Sequence, residues 1–143
     1  HLLCRLGKLV IPSLNFFNSS HHISQLVDIR KFSMSSNIQY AIFHIPWSKT
    51  VHMDGEDIIA TKINDITNPH NTLIHHLSAN ISVPSHTPLF AFETKQGWSP
   101  MTKLWFLTHC NNIWKSSDLP VLSGHCFRIR ATTKLLLCGV PPD

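Results

Sequence analysis

Residues 39–49 read QYAIFHIPWSK, and residues 54–63 follow with DGEDIIATKI. In an extended chain alternate side chains point to opposite faces. Ala41, Phe43, Ile45 and Trp47 therefore share one face of the first stretch, while Tyr40, Ile42 and His44 share the other. Asp54-Gly55 supplies the turn chemistry that joins this strand to a second one over residues 56–63. Residues 25–32 have the same β-type character, so the reading is a small antiparallel sheet.

The segments around this sheet read as helices. Asn68-Pro69 sets an N-cap and an N1 proline ahead of Leu73 and Leu77, which predicts a helix of about ten residues. The prolines between residues 84 and 88 end it, and residues 89–92 form a short extended piece. Ser99-Pro100 repeats the start signal before a helix over residues 101–114, with Leu104, Trp105, Leu107 and Trp114 as its apolar positions. Ser123 caps a third helix running to Cys138, and Gly139 stands where a left-handed C-cap is wanted, with Pro141-Pro142 beyond. Residues 2–10 read as the tail of a further element. The expectation is an α+β fold, a small antiparallel sheet packed with helices. Residues 1–143 are expected to form one partial domain, cut at both ends, with no second domain.

Composition narrows the class. The chain has 143 residues and a formal charge of +4, and its 43% hydrophobic content is that of a folded domain rather than a disordered one. Its 14% charged content is low against the roughly 25% usual for soluble domains. No apolar run approaches the ~18 residues of a membrane span, and Arg5 and Lys8 interrupt any signal-peptide core. Cys4, Cys110, Cys126 and Cys138 form no C-x-x-C pair, which favours free thiols in an intracellular, reducing setting over a disulfide framework. The histidines (His21-His22, His70, His75-His76, His109) are not spaced with a cysteine or carboxylate to build a site, so no metal and no cofactor are expected. Trp98, Trp105 and Trp114 have spacings that suit core packing better than base stacking.

The segment that points to chemistry is residues 122–143, LSGHCFRIRATTKLLLCGVPPD. His125 and Arg128 lie three residues apart at the start of a helix, about one turn apart on one face. A guanidinium offers two parallel donors, the free helix N–H groups add more, and an imidazole moves a proton near neutral pH. That combination suits a phosphate. Cys126 beside His125 is no nucleophile–base pair, because adjacent helical side chains diverge.

From Tyr40 onward the chain resembles the catalytic domain of tyrosine recombinases, the DNA breaking-rejoining enzymes of the phage-integrase type, and within them the branch carried by eukaryotic mobile elements. The resemblance runs in order through FHIPWSKT (43–50) with GED (55–57), HHLSANISVP (75–84), PLFAFE (88–93), WSPMTKLWFL (98–107) and SGHCFRIRATTKLLLCGVPPD (123–143). It implies a phosphate clamp. CRLG (4–7) matches the motif of the first arginine, giving Arg5; PWSKT matches the sheet lysine that protonates the leaving 5′ oxygen, giving Lys49. His125 and Arg128 match the histidine and the second arginine. Two guanidiniums stabilise a pentacoordinate phosphorane without a metal, while His and Lys relay protons.

The sequence departs from the family at Lys8, where an acidic residue is usual, and at Arg130, where glycine is usual. Cys126 stands where serine is common. The family's third phosphate ligand and its nucleophilic tyrosine follow the H-x-x-R helix, and residues 129–143 contain neither. The one tyrosine, Tyr40, precedes Lys49 and does not match the nucleophile's position. The implied partner is double-stranded DNA, the implied location the nucleus, and family members self-associate on paired sites. The implied function is therefore that of a recombinase catalytic fragment lacking its nucleophile. The alternatives are a non-catalytic remnant that binds the DNA backbone, and an unrelated α+β interaction domain with an accidental H-x-x-R.

Overall fold

A computed structural model of the chain describes residues 6–24, 29–35, 37–47, 52–137 and 139, without the side chains of 8, 14, 29–35, 128, 130–132 and 134–136. Strands β1 (Ile29–Ser35), β2 (Ile38–Ile45) and β3 (Glu56–Thr61) form an antiparallel sheet in the order β1-β2-β3. The β1–β2 turn is tight, with Ser35 opposite Ile38 and Asn37 in the left-handed region at φ 66°, a conformation asparagine tolerates. Strand β1 is described from Ile29, residues 25–28 of the predicted strand lying outside the described residues, and β2 stops at Ile45 because Pro46 brings no ladder N–H.

The predicted alternation in β2 sorts the sheet into two faces. Ala41, Phe43 and Ile45 are buried and stand opposite Ala60, Ile58 and Glu56. They pack with Ile23, Leu73 and Leu89 into the core. The outer face pairs Tyr40 with Thr61, Ile42 with Ile59, and His44 with Asp57. In the last pair His44 Nδ1–H donates to Asp57 Oδ1 at 2.7 Å. Gly55, at φ +64°, sits under this pair, where a Cβ would collide with the Ile45 carbonyl and the His44 ring.

Helix α2 (Pro69–Ala79) lies on the sheet and starts as predicted: Asn68 Oδ1 accepts the Asn71 N–H at 3.1 Å, and Pro69 occupies N1. Its Leu73 is buried in the core. His76 ties the helix to the following segment. Its Nε2–H donates to the Leu89 carbonyl at 2.9 Å, and its Nδ1 faces Asn80 Nδ2 at 3.3 Å. Asn80 in turn accepts the Glu93 N–H at 2.8 Å.

A two-stranded ribbon follows, β4 (Ala91–Thr94) with β5 (Gly97–Pro100). The sequence places a helix start at Ser99-Pro100, and the structure instead puts both residues in β5. Gly97 at φ +124° permits the tight reversal, and a proline is tolerated at the end of an edge strand. The cap moves to Thr102, whose Oγ1 accepts the Trp105 N–H at 3.1 Å, and α3 spans Lys103–Ser116. No residue of α3 is buried. Trp98 and Trp105 are 37% and 41% exposed, which corrects the expectation that both belong to the core. Phe92, Trp105 and His109 instead form a surface stack, with centroids 5.1 and 5.0 Å apart.

Helix α4 (Gly124–Leu137) is the last element among the described residues, and Gly139 at φ +79° adopts the predicted left-handed conformation beyond it. The one-turn helix α1 (Leu6–Leu9) and the segment after it close the structure. Ile11 accepts the Lys103 N–H at 2.9 Å and Ile23 accepts the Leu89 N–H at 2.8 Å. The whole is an α+β fold, with helices and two small antiparallel sheets. Among the described residues no helix is long and apolar enough to cross a membrane.

Gly55→Ala is expected to destabilise the chain by about 1–3 kcal/mol in urea unfolding, since it combines a left-handed backbone with a backbone collision. The Glu93 carboxyl is held below its ordinary range by the hydroxyl and then the N–H of Ser82. Its folded pKa is depressed, so this contribution is present above the usual carboxylate range and is lost as pH falls through the lower folded value. Ser82→Ala is expected to return the Glu93 titration toward the usual range in a carbon-detected NMR pH series, and to remove that acid-side loss.

Candidate nucleic-acid interface

The start of α4 is positioned from α3. Asn111 Nδ2 donates to the Leu122 carbonyl at 3.1 Å, and Asn111 Oδ1 accepts the Leu122 N–H at 2.9 Å. This double bond fixes the chain two residues before α4 begins. Phe127 then packs on Phe106 and Trp114, with centroids 5.9 and 5.7 Å apart. Aromatic contacts of this kind add about 0.5–1.5 kcal/mol beyond their area. Sequence reasoning found the helix and missed Asn111, because nothing local marks an amide that pairs with backbone eleven residues away.

The starts of α3 and α4 meet Leu6 at this point. A Cβ on Gly124, the first residue of α4, would lie 3.5 Å from Leu6 Cδ2 and 3.5 Å from Lys103 Cε. Leu6 is the first residue of α1 and Lys103 the first of α3. Leu107 Cδ1 is 3.8 Å from the same position. Neither α3 nor α4 carries an acidic residue in its first turn. A helix start carries about half a positive charge; at α3 the Lys103 and Trp105 N–H groups are taken by Ile11 and Thr102, which leaves the start of α4 as the main source of positive potential at the junction.

Of the residues singled out from the sequence, His125 is exposed as the second residue of α4. Arg128 stands three positions further along the same helix; its side chain, like Arg5 and Lys49 entirely, lies outside the described residues. Arg5 directly precedes Leu6 in the sequence, and Lys49 falls between the described ends of β2 and β3. Tyr40 is half-buried in the central strand, opposite Ser33 and Thr61. Lys8 falls in α1 and Arg130 in α4, both with side chains outside the described residues.

The other polar clusters hold structure together. His44 bridges two strands, His76 joins α2 to the next segment, and His22 Nδ1 accepts the Asn18 N–H at 3.1 Å. Among the described residues no group of three His, Cys, Asp or Glu side chains is arranged to hold a metal ion. An open groove of about 960 Å³ is lined by residues including Phe17, His21, His22 and His86, and His125 does not border it.

Two thiols behave differently. The Ser123 hydroxyl, 3.4 Å from Cys126 Sγ, and then the Ser123 backbone hold the Cys126 thiol below its usual range. Burial pushes the Cys110 thiol up. Comparison of the chain with protein-family models, curated proteins and solved structures returns no match.

Thiolate is the reacting form. Iodoacetamide at neutral pH is therefore expected to modify Cys126 before Cys110, with Ser123→Ala narrowing the difference as read by peptide mass spectrometry.

Proposed function

We propose that the chain is part of the catalytic domain of a tyrosine-type DNA recombinase and grips a backbone phosphate of duplex DNA through Arg5, Lys49, His125 and Arg128. The observation that carries this reading is the junction at Gly124. The segment that follows Arg5 in sequence and the helix that bears His125 and Arg128 are far apart along the chain, yet Leu6 packs on Gly124. The β2–β3 pair is antiparallel, as expected of the hairpin in which the family carries its lysine. The electropositive junction adds a sequence-independent attraction for DNA, which at backbone contacts displaces condensed counterions.

In this reading Arg5 and Arg128 bind the non-bridging oxygens of the scissile phosphate, His125 holds or moves a proton beside them, and Lys49 protonates the leaving 5′ oxygen. The working location is the nucleus, and assembly occurs on paired sites. A second reading, a DNA-backbone binder that does not cut, is favoured by Tyr40. That side chain is held in the central strand between Ser33 and Thr61 and is the one phenol in the 143 residues. The two readings share the phosphate grip and differ only in the attacking group.

The 143-residue chain is expected to bind a fluorescent duplex with a negative log–log salt slope, about −0.9 for each backbone phosphate it neutralises. His125→Ala combined with Arg128→Ala is expected to weaken that binding about tenfold or more. With a nicked duplex no protein–DNA band is expected on a denaturing gel. Salt-independent binding would remove the phosphate-grip reading, and a covalent band abolished by Tyr40→Phe would overturn the assignment of Tyr40.

A further inference from the structure

We infer that the open groove beside the N-terminal segment is a separate nucleic-acid site, which takes an unpaired base of single-stranded DNA against Phe16. The inference rests on the DNA reading above and adds a ligand that the phosphate grip does not require, an exposed base in place of a paired one. The groove measures about 960 Å³, within the ~300–1,000 Å³ of small-ligand sites. One wall is the segment from Pro12 through the short helical turn Leu14–Phe16 to Ser24, and the other is His86, beyond α2. The buried Ser24 bridges Pro88, which joins the two walls.

Three features of the lining select the occupant. The first is Phe16, which lines the groove yet is 68% exposed, an apolar ring held at the rim without a cover. Every base has a flat π-face, and stacking it on such a ring is indifferent to sequence. The second is a pair of amides in the same wall. Asn18 Oδ1 accepts the Ser20 N–H at 2.9 Å, which leaves its Nδ2 to donate, and Asn15 directly precedes Phe16 with a donor and an acceptor of its own. The edge of an unpaired base offers the matching acceptors and donors. The third is charge. Among the described residues that line the groove are three imidazoles, His21, His22 and His86, and no carboxylate, which favours a polyanion over a cationic partner. The His21 ring is fixed by stacking on Trp47, with centroids 5.2 Å apart, so this wall is tied to the chain leaving β2. The groove also adjoins the phosphate junction. Pro12 borders it, while the carbonyl of the preceding Ile11 accepts the Lys103 N–H, whose side chain reaches Gly124. One short segment therefore serves both places.

The test uses the full chain, isotope-labelled, with three fluorescent probes: a short oligodeoxythymidylate, an abasic strand of the same length, and a closed duplex hairpin. The oligodeoxythymidylate is expected to give saturable shifts of the Asn15 and Asn18 side-chain amides. Phe16→Ala should weaken its binding about fivefold or more, and Phe16→Trp should keep the affinity. The abasic strand has the same phosphates and no bases, so it should bind more weakly and ignore Phe16→Ala. The duplex should change by less than about twofold in Phe16→Ala, because its bases are already stacked. Ile66→Ala, at a fully exposed apolar residue outside the groove, should change none of these. The far-UV circular dichroism of each variant should match the parent, since both side chains are exposed. Absence of shifts at Asn15 and Asn18, an unchanged affinity in Phe16→Ala, or an equal loss with the abasic strand would overturn the assignment. Duplex binding that responds to His125→Ala, without Phe16-dependent single-strand binding, would remove the groove and leave the DNA reading standing. Phe16-dependent single-strand binding without duplex binding would remove the phosphate grip and leave the groove.

Discussion

The two-residue alternation of β2 is the constraint on which the rest depends. One face of that strand must be dry and the other wet, and a slip of one position would exchange them. With Ala41, Phe43 and Ile45 inward, α2 has an apolar surface on which to bury Leu73, and the segment after α2 can deliver Leu89 to the same core. The outward face is then free to carry the His44–Asp57 pair, which ties β2 to β3 beside the turn at Gly55. Small residues complete the arrangement: Ala41 faces Ala60 across the ladder, leaving room for Phe43 and Leu73 to fill the space between sheet and helix.

The α3–α4 pair is built on different physics. No residue of α3 is buried, and among the described residues the two helices are joined by an aromatic trio and by the Asn111 amide. Hydrogen bonds of this type contribute modestly when made but cost about 1–3 kcal/mol when one partner is left buried and unpaired. Geometry is therefore held more firmly than the small apolar contact alone would allow. That suits a helix start whose task, in the DNA reading, is to present a ring and a guanidinium at a fixed spacing.

Much of the sheet and of α2 was legible because their signals are local. Alternation in residues 39–45, Asp54-Gly55 at a turn and Asn68-Pro69 at a helix start each act within a few residues. The helix start at Ser99-Pro100 was misread because serine followed by proline also suits the end of an edge strand. What decides between the two is the pairing of Pro100 with Ala91, which local sequence does not display. Trp98 and Trp105 depart from the expected core for a related reason. Spacing tells which side chains share a helix face, not whether anything covers that face. At the candidate interface His125 and Arg128 were visible as a pair, whereas the meeting of Leu6, Lys103 and Gly124 is a product of tertiary packing and has no signature in any one segment.

The ties made by the N-terminal segment have a kinetic consequence. Leu6 meets Gly124, Ile11 bridges Thr102, and Ser24 bridges Pro88, each closing a loop of many tens of residues. The β2–β3 hairpin and α2 close short loops and form on the microsecond scale, while long closures pay their chain entropy before any contact repays it. During synthesis the first of these segments leaves the ribosome early and waits for α4 to emerge before it can dock. The Leu6–Gly124 contact thus forms later than the three-stranded sheet, whose strands close much shorter loops.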